Sequence, residues 1–399
     1  MKKKVSIIGG GASALFVAAF LDHQKFDITI YEKNKTVGRK FLVAGKGGFN
    51  LTHSENITAF IERYTPSKFL KKAFVNFDNL QFQNWLNAIG IKTFIGSSKR
   101  VYPEKGIKPI EVLNAMLAVL KKKEVCIKYN HTWLGWTTEK QLLFNNHFEI
   151  KSDYTIFSLG GASWKVTGSD GSWLNTFNNQ KVLTTPFQVS NCAFGIDWKH
   201  LFIEKFEGSP LKNIAISCRN KEQKGEVVIT NFGIEGNAIY ALSPEIRKEL
   251  ESHHKAKIYM DLKPIFSEEI LQNKIKQSNF RNTTEILKKE LKLSEVQIGL
   301  LKNYLTKEQF LNEELLVKYI KNFPLEIIET ANLDEAISTV GGISLQAVDE
   351  NFELKKLKTQ YCIGEMLDWD APTGGYLLQA CASMGASLAK HLNEKIIES

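Results

Sequence analysis

A multidomain α/β fold is what this sequence predicts, and three observations predict it. The first 32 residues spell a strand, a glycine turn, a helix and a second strand. A second glycine turn opens the last long helical segment. Between them, runs that alternate apolar and polar residues give way to a Lys/Glu-rich stretch of helical period. Strands alternating with helices call for a parallel sheet, and a separate β-rich stretch calls for a further domain.

The opening unit comes first. Val5 to Ile8 reads as a short buried strand, Gly9-Gly10-Gly11-Ala12-Ser13-Ala14 as a GxGxxA turn, and Leu15 to Leu21 as an apolar helix. Asp27 to Tyr31 is a second strand that ends on Glu32. In such a unit Gly9 makes the tight turn, Gly11 lets a pyrophosphate approach the backbone, and Ala14 lets helix and strand pack closely. The helix then aims its unpaired N–H groups, those around Ala12 and Ser13, at the phosphates. Glu32 stands where a carboxylate accepts both hydroxyls of an adenosine ribose, and it would repel a 2′-phosphate. That argues against NADP in this slot. Lys2-Lys3-Lys4 before an apolar run imitates a secretion signal, but three glycines interrupt the run and an acid-tipped strand follows. The expectation is a cytoplasmic protein.

At 399 residues the chain has room for two or three domains. Its 43% hydrophobic and 24% charged residues are globular values, which sets aside disorder. No run reaches the ~20 apolar residues of a membrane span. The net charge of +9 reads as dispersed lysines, many of them in 248–321 among glutamates. A solvated helical surface explains that better than a nucleic-acid groove, although the sign favours anionic ligands. Cysteines 126, 192, 218, 362 and 381 form no CxxC and read as reduced thiols. His253-His254 reads as a solvated helix end, and no metal site is expected.

From Lys33 to Thr52 runs a glycine-rich binding loop. Arg39 and Lys40 suit a phosphate or a ribose edge, and Gly38, Gly45, Gly47 and Gly48 let backbone approach a flat ligand. Residues 56–93 have helical spacing, 97–103 are turn-rich, and 110–122 form an amphipathic helix. Strand-like runs at 125–129, 132–136, 141–144 and 147–150 suggest an antiparallel meander. The strand 154–159 enters Gly160-Gly161-Ala162-Ser163, which either passes beneath a cofactor or makes a plain strand-to-helix turn. Residues 187–262 are β-rich, and 266–323 form a helical insertion that Pro324 closes. The strand-like run 337–343 follows, with a hairpin around 349–351 and a strand 361–363 that meets Gly364-Glu365. Thr373-Gly374-Gly375-Tyr376 then opens a helix from Leu377 to His391. The domains expected are 1–186 with 330–399, 187–265 and 266–329.

A nicotinamide dehydrogenase needs one such nucleotide unit and a substrate domain. The late glycine turn is what a longer dinucleotide needs when the chain returns to cover its far end. Helix-terminal amides at Gly374, Gly375, Tyr376 and Leu377 would face the flavin C2 carbonyl and stabilise the charge gathered there on reduction. Gly364-Glu365 would lie near the ribityl chain and pyrophosphate. FAD is therefore the expected cofactor. No second GxGxxG with a following acid exists, so NAD(P)H would dock transiently as co-substrate. Lys46, Asn50 and Tyr376 are the polar groups expected near the ring, and Arg100 and Tyr102 could hold an anionic substrate. The bland alternatives are that Asn50 caps a turn, Tyr376 packs and Arg100 holds its loop. No residue of the sequence stands out as a catalytic acid or base.

These residues resemble the BaiN/YhiN-like NAD(P)/FAD-dependent flavoproteins, also described as aminoacetone-oxidase-like FAD-binding enzymes. The likeness runs over nearly the whole chain. It rests on Gly9 to Ala12, Gly38 to Leu42, Gly45 to Thr52, Arg100 to Pro103, Thr167 to Gly171, Gly225 to Thr230, Gly233 to Gly236, and Gly364 to Asp368 through Tyr376. That family usually writes GNGRCNLT where this chain has Gly45 to Thr52, and Asn where it has Leu377. The variant motif looks like that of an uncharacterised subfamily. The departures lie at the ring and the substrate, so the resemblance carries the cofactor and not the substrate. It implies a Rossmann-like FAD domain of glutathione-reductase type built from both chain ends, with inserted β-barrel-like and helical domains. It also implies reduction of a small unsaturated or keto compound, or oxidation of a small amine, with hydride passing through flavin N5. FAD contacts would come from Glu32, Lys33, Arg39, Lys40 and Glu365, with the backbone of Trp133 on the meander lining the adenine. A small molecule is the expected partner. The competing reading is an FAD-binding protein with a non-redox or nucleic-acid-linked role, supported by the basic helical insertion alone.

Overall fold

Val5, Ile7 and Ile8 are fully buried, and they form the middle of a parallel sheet. Its strands are β1 (Lys3–Ile8), β2 (Phe26–Tyr31), β3 (Cys126–Lys128), β4 (Tyr154–Phe157) and β5 (Gln360–Cys362), in the order β5-β4-β1-β2-β3. Every pairing is parallel. The chain steps from β1 to β2 on one side, while β4 pairs with β1 on the other. The order therefore reverses at the carboxyl end of β1, where doubly wound sheets take their ligands. The computed structural model describes residues 1–43 and 49–395.

Residues 1–189 and 333–399 make one compact unit, and 190–332 make another. In the first, helix α1 (Ala12–Phe20) begins directly after Gly11, three residues earlier than the apolar run suggested. The last helix, Tyr376–Lys395, lies on α1. A Cβ at Gly385 would stand 2.8 Å from the Val17 nitrogen and 2.9 Å from Phe16 Cβ, so a bare residue is what lets these helices touch. Both chain ends thus belong to one core.

Several sequence expectations change in detail. The run 125–129 is not part of a meander: Cys126–Lys128 extends the parallel sheet beside β2. The antiparallel meander holds only Trp133–Trp136, Leu142–Phe144 and Glu149–Ile150. The loop 33–52 contains a short helix, Arg39–Val43. The helical stretch 56–93 breaks into Ile57–Ile61, Lys71–Asn76 and Asn79–Ala88, the last opened by an Asp78–Gln81 capping box. Within the turn-rich segment 97–103, Arg100–Pro103 is a strand. It is the centre of a three-stranded sheet between Thr52–His53 and Thr93–Ile95.

The second unit holds a seven-stranded antiparallel sheet that runs from Phe323–Ile327 at one edge to Glu329–Thr330 at the other. Only Ile328 separates those two strands in sequence, so the sheet must curl until its edges meet, as a barrel does. Pro324 does not end the helices but sits in the outermost strand, where a missing N–H is tolerated. The helices of 268–321 begin on Ser267, Asn282, Ser294, Thr306 and Asn312, each of which caps its helix through its side chain. All five cysteines are free. Among the described residues, no helix is long and apolar enough to cross a membrane.

Candidate functional site

The three opening glycines are bare for different reasons. At Gly9, with φ +97°, a Cβ would overlap the Ser158 carbonyl oxygen. At Gly10 it would stand 2.5 Å from Val37 Cγ1 and 2.9 Å from Glu32 Oε2. At Gly11 it would meet only the Ser158 carbonyl oxygen, 4.0 Å away. Protein presses on the first two; the third faces open space. Gly11 also caps α1 without a side-chain hydrogen bond, so the amides of that first turn lack the partner a capping side chain supplies. Open space before uncapped amides is what an anion needs. Ser13 and Ala14 are buried beneath it.

Glu32, buried at the end of β2, fastens this turn. Its Oε2 accepts the Gly10 N–H at 2.7 Å, and its Oε1 accepts the backbone and side-chain N–H groups of Asn34 at 2.8 and 2.7 Å. That uses three of roughly four acceptor positions. The neighbouring cations clasp more distant segments. Lys33 pairs with Asp170 at 2.8 Å, and Arg39 Nη2 donates to the Val166 carbonyl at 2.7 Å. Lys40 reaches Ser163 at 3.0 Å and Glu365 at 2.9 Å. Glu365 also accepts the Thr339 N–H. Gly364, with φ +86°, rests on the Ser13 side chain, which brings the late Gly-Glu turn onto the first turn of α1. Ser169 Oγ lies against Gly160. Ser169 Oγ, Arg39 Nε and the Trp133 indole nitrogen are buried without a partner among the described residues. Trp133 packs on Phe157 and Phe177, with ring centroids 4.9 and 5.5 Å away.

The other end of the site is made by the second glycine turn. Gly374 and Gly375 have φ +107° and +101°. A Cβ on Gly375 would stand 2.6 Å from the Thr52 backbone, and one on Gly374 would stand 3.0 Å from Arg100 Nε. The turn is therefore pressed between the strand Thr52–His53 and Arg100. Tyr376 and Leu377 begin the last helix. The Tyr376 hydroxyl donates to Glu55 Oε1 at 2.6 Å, and Arg63 holds the same carboxylate with bonds of 3.1 and 3.0 Å. The His53 ring stacks on Tyr376, 5.2 Å between centroids and 22° from parallel, and its Nδ1 accepts the Glu55 N–H.

The electrostatics follow. Burial, with the hydrogen bond to Glu55 and its charge, pushes the Tyr376 phenol far above its ordinary value. Burial alone would raise Glu55, but hydrogen bonds from Arg63 and Tyr376 outweigh it and hold the carboxyl below 4.5. Burial lowers His53 against the pull of the Glu55 charge.

Of the residues expected near the ring, Gly45, Lys46 and Gly47 lie outside the described residues. Asn50 is half-buried just before Thr52–His53. Tyr102 and Arg100 share a face of the three-stranded sheet. Sequence reasoning missed His53, Glu55 and Arg63. His53 and Glu55 directly follow the loop already singled out, two apart. Arg63 had no signal beyond helical spacing.

A doubly wound parallel sheet, an open cradle after its first strand and a late glycine turn on the last helix define an FAD-binding domain of Rossmann type. The family described as HI0933-like protein Rossmann domain matches residues 3–391, and the chain belongs to that family, one of FAD-dependent oxidoreductases. The chain is similar to 3-dehydro-bile acid delta(4,6)-reductase of Clostridium scindens, 25% identical, covering 94% of this chain and 95% of the relative. It is also similar to the ribosomal RNA dihydrouridine synthase of Haemophilus influenzae, 24% identical, covering 94% of each. Among solved structures, a flavocytochrome c3 fumarate reductase is similar at 12% identity with a TM-score of 0.48, covering 98% of this chain and 78% of that one.

Proposed function

We propose that this protein is an FAD-dependent reductase that saturates a carbon–carbon double bond conjugated to a carbonyl, with NAD(P)H docking transiently as donor. One observation carries the cofactor part. Gly11 faces open space where Gly9 and Gly10 are crowded, in the same unit that holds the Gly364 and Gly374-Gly375 turns. The two curated relatives carry the substrate part. A delta(4,6)-reductase of a 3-dehydro bile acid and a dihydrouridine synthase both name the addition of two hydrogens to an alkene beside a carbonyl.

In this reading the amides from Gly11 to Ala14 hold the pyrophosphate, and Glu32 takes the adenosine ribose with its remaining acceptor position. Arg39 Nε and Ser169 Oγ, buried without a partner among the described residues, add polar contacts beside them, and Gly160, Gly364 and Glu365 line the middle of the cofactor. Lys33 and Lys40 hold that lining in place through Asp170 and Glu365. Trp133 borders the adenine end, while Asn50, Gly374, Gly375, Tyr376 and Leu377 border the ring. FAD, when bound, supplies hydride transfer to a conjugated alkene. The chain supplies position and charge. Arg100 and the opening amides of the last helix put positive potential where the substrate carbonyl gathers negative charge. Tyr376 keeps its proton and, locked to Glu55, holds the wall of the site. The overall change consumes NAD(P)H and one proton and yields NAD(P)⁺ and the saturated product.

Anaerobic mixing tests this. NADH or NADPH should bleach the flavin band near ~450 nm, and a cyclic enone should restore it. Flavin that neither nicotinamide reduces would end the donor assignment. Reduced flavin that no enone reoxidises would end the substrate assignment.

A further inference from the structure

The loop that follows β4 turns back on a narrow neck. A Cβ on Gly171 would stand 2.7 Å from Ala162 Cβ, so residues 163–170 leave and re-enter the first unit at one place. Between Ala162 and Trp173 no apolar side chain is fully buried: Trp164 is half-buried and Val166 is 74% exposed. The middle is a single 3-10 turn, Lys165–Thr167, flanked by Trp164 at φ +62° and Gly168 at φ +102°. A compact turn on a narrow neck, with little apolar surface to hold it, opens at low cost.

Polar pins hold it instead, and most of them come from one place. Lys40 Nζ donates to Ser163 Oγ at 3.0 Å, Arg39 Nη2 donates to the Val166 carbonyl at 2.7 Å, and Lys33 pairs with Asp170 at 2.8 Å. Gly168 lies against the same stretch, where a Cβ would stand 2.5 Å from the Asn34 side-chain nitrogen. These four residues all lie within eight positions after Glu32, on the chain that leaves the phosphate cradle. A further pin is Asp334, whose carbonyl accepts the Trp164 N–H at 3.2 Å and whose Oδ1 accepts the Lys165 N–H at 2.6 Å. The loop's own Ser169 Oγ and the Nε of its pin Arg39 are buried without a partner among the described residues.

We propose that residues 163–170 form a strap that opens to admit FAD and closes over its pyrophosphate half, so that these pins set how long the cofactor stays. The inference rests on the FAD reading above and adds a moving part to it. The Lys33–Asp170 pair is one-third exposed on both sides, and single pairs of that kind are weak enough to break and re-form. Arg39 Nε and Ser169 Oγ gain a partner only with the dinucleotide in place, which gives the loaded protein the stronger preference for a closed strap. The sign of one substitution separates a latch from a plain electrostatic neighbour. Asp170 is an acid beside an anionic ligand, so if it acted through its charge alone, Asp170→Asn would slow FAD release. As a latch, its loss speeds release.

Exchange kinetics test this. Protein loaded with radiolabelled FAD is chased with excess unlabelled FAD to give the release rate, and stopped-flow flavin fluorescence on the full chain freed of FAD gives the entry rate. Asp170→Asn and Asp334→Ala should each raise both rates about fivefold, the most that one exposed ion pair or one hydrogen bond supplies, and should leave Kd within about twofold. Asp334 is exposed, so its truncation spares the fold, which the thermal midpoint verifies. Trypsin should cut after the exposed Lys165 more slowly once FAD is bound, and faster in Asp170→Asn than in the parent. FAD release that is slowed or unchanged in Asp170→Asn would overturn the strap. So would release that quickens in both variants with entry unchanged, or cutting at Lys165 that ignores FAD. A folded parent protein that takes up no FAD would instead remove the cofactor reading on which the proposal stands.

Discussion

The two ends of the site are built from different materials. The end proposed for the phosphates is main chain, glycines 9 to 11 and the uncapped first turn of α1, fastened by the Glu32 carboxylate. The end proposed for the ring sets the Gly374-Gly375 turn among side chains, His53, Glu55, Arg63, Arg100 and Tyr376, drawn from four separate segments. A backbone cradle fails when a single atom is added to it. A side-chain cluster can be retuned charge by charge.

The sharpest way to break that contrast lies within the cradle itself. Gly11 has φ −78°, open to any residue, and empty space beyond it. Gly11→Val should therefore fold but come out of purification colourless, with the melting midpoint of the cofactor-free protein nearly unchanged. Gly9→Val should instead lose at least about 2 kcal/mol of stability, from its positive φ and the overlap with Ser158. Absorbance near ~450 nm and thermal unfolding read both. A yellow Gly11→Val protein would mean that the cradle holds no pyrophosphate.

The next effect concerns the carboxylate that serves the turn. Glu32→Ala strands the buried Gly10 N–H and frees Asn34, which should cost about 1–3 kcal/mol in urea unfolding. It should also weaken FAD about tenfold in fluorescence titration, by loss of the ribose partner. Stability lost with FAD affinity kept would assign Glu32 to the turn alone.

How much of this could be read in advance follows the same divide. The phosphate end lies between residues 5 and 32, so strand, turn, helix and acid stand in one window with spacing that geometry dictates. Glu55 and Tyr376 touch across 321 positions, and nothing local in Glu55 announces it. Arg100–Pro103 looked like a turn because Ser97-Ser98 and Pro103 enclose only one inward-facing residue, Val101. Cys126–Lys128 passed for a meander strand because it lies at the exposed edge of the parallel sheet, where alternation replaces the apolar run of a central strand. The barrel closure depends on which edges the strands flanking Ile328 join, a matter of pairing and not of composition.

The ring end sharpens the contrast through pH. Glu55 lies below its ordinary 4.5 in the fold, so its stabilisation is whole above that pH and is lost as pH falls through the lowered value. His53 is lowered from 6.5, so its neutral form is favoured, and its contribution is likewise lost as pH falls through its own lowered value. Melting midpoints should therefore fall in two steps on acidification. Glu55→Gln should cost about 2 kcal/mol near neutrality by loosening Arg63 and Tyr376, and should shrink the lower step, to which Asp170 also contributes. It should also move the upper step to lower pH, since the carboxylate that favours protonated His53 is gone. A variant with the parent's acid profile would show that the cluster contributes no charge-dependent stability.

The smallest effect is the most selective. Ser169 Oγ is buried against Gly160 with no partner among the described residues, so the fold gains nothing from its hydroxyl. A buried hydroxyl left unsatisfied carries a desolvation cost, and Ser169→Ala removes it. The cofactor-free protein should then melt at the same temperature or slightly higher. If the hydroxyl serves the dinucleotide, FAD should bind about fivefold more weakly, the equivalent of about 1 kcal/mol for one neutral hydrogen bond. FAD affinity would fall with no loss of stability, which no packing role for this serine can produce. If both hold steady, the polar lining of the phosphate end would reduce to main chain and Glu32.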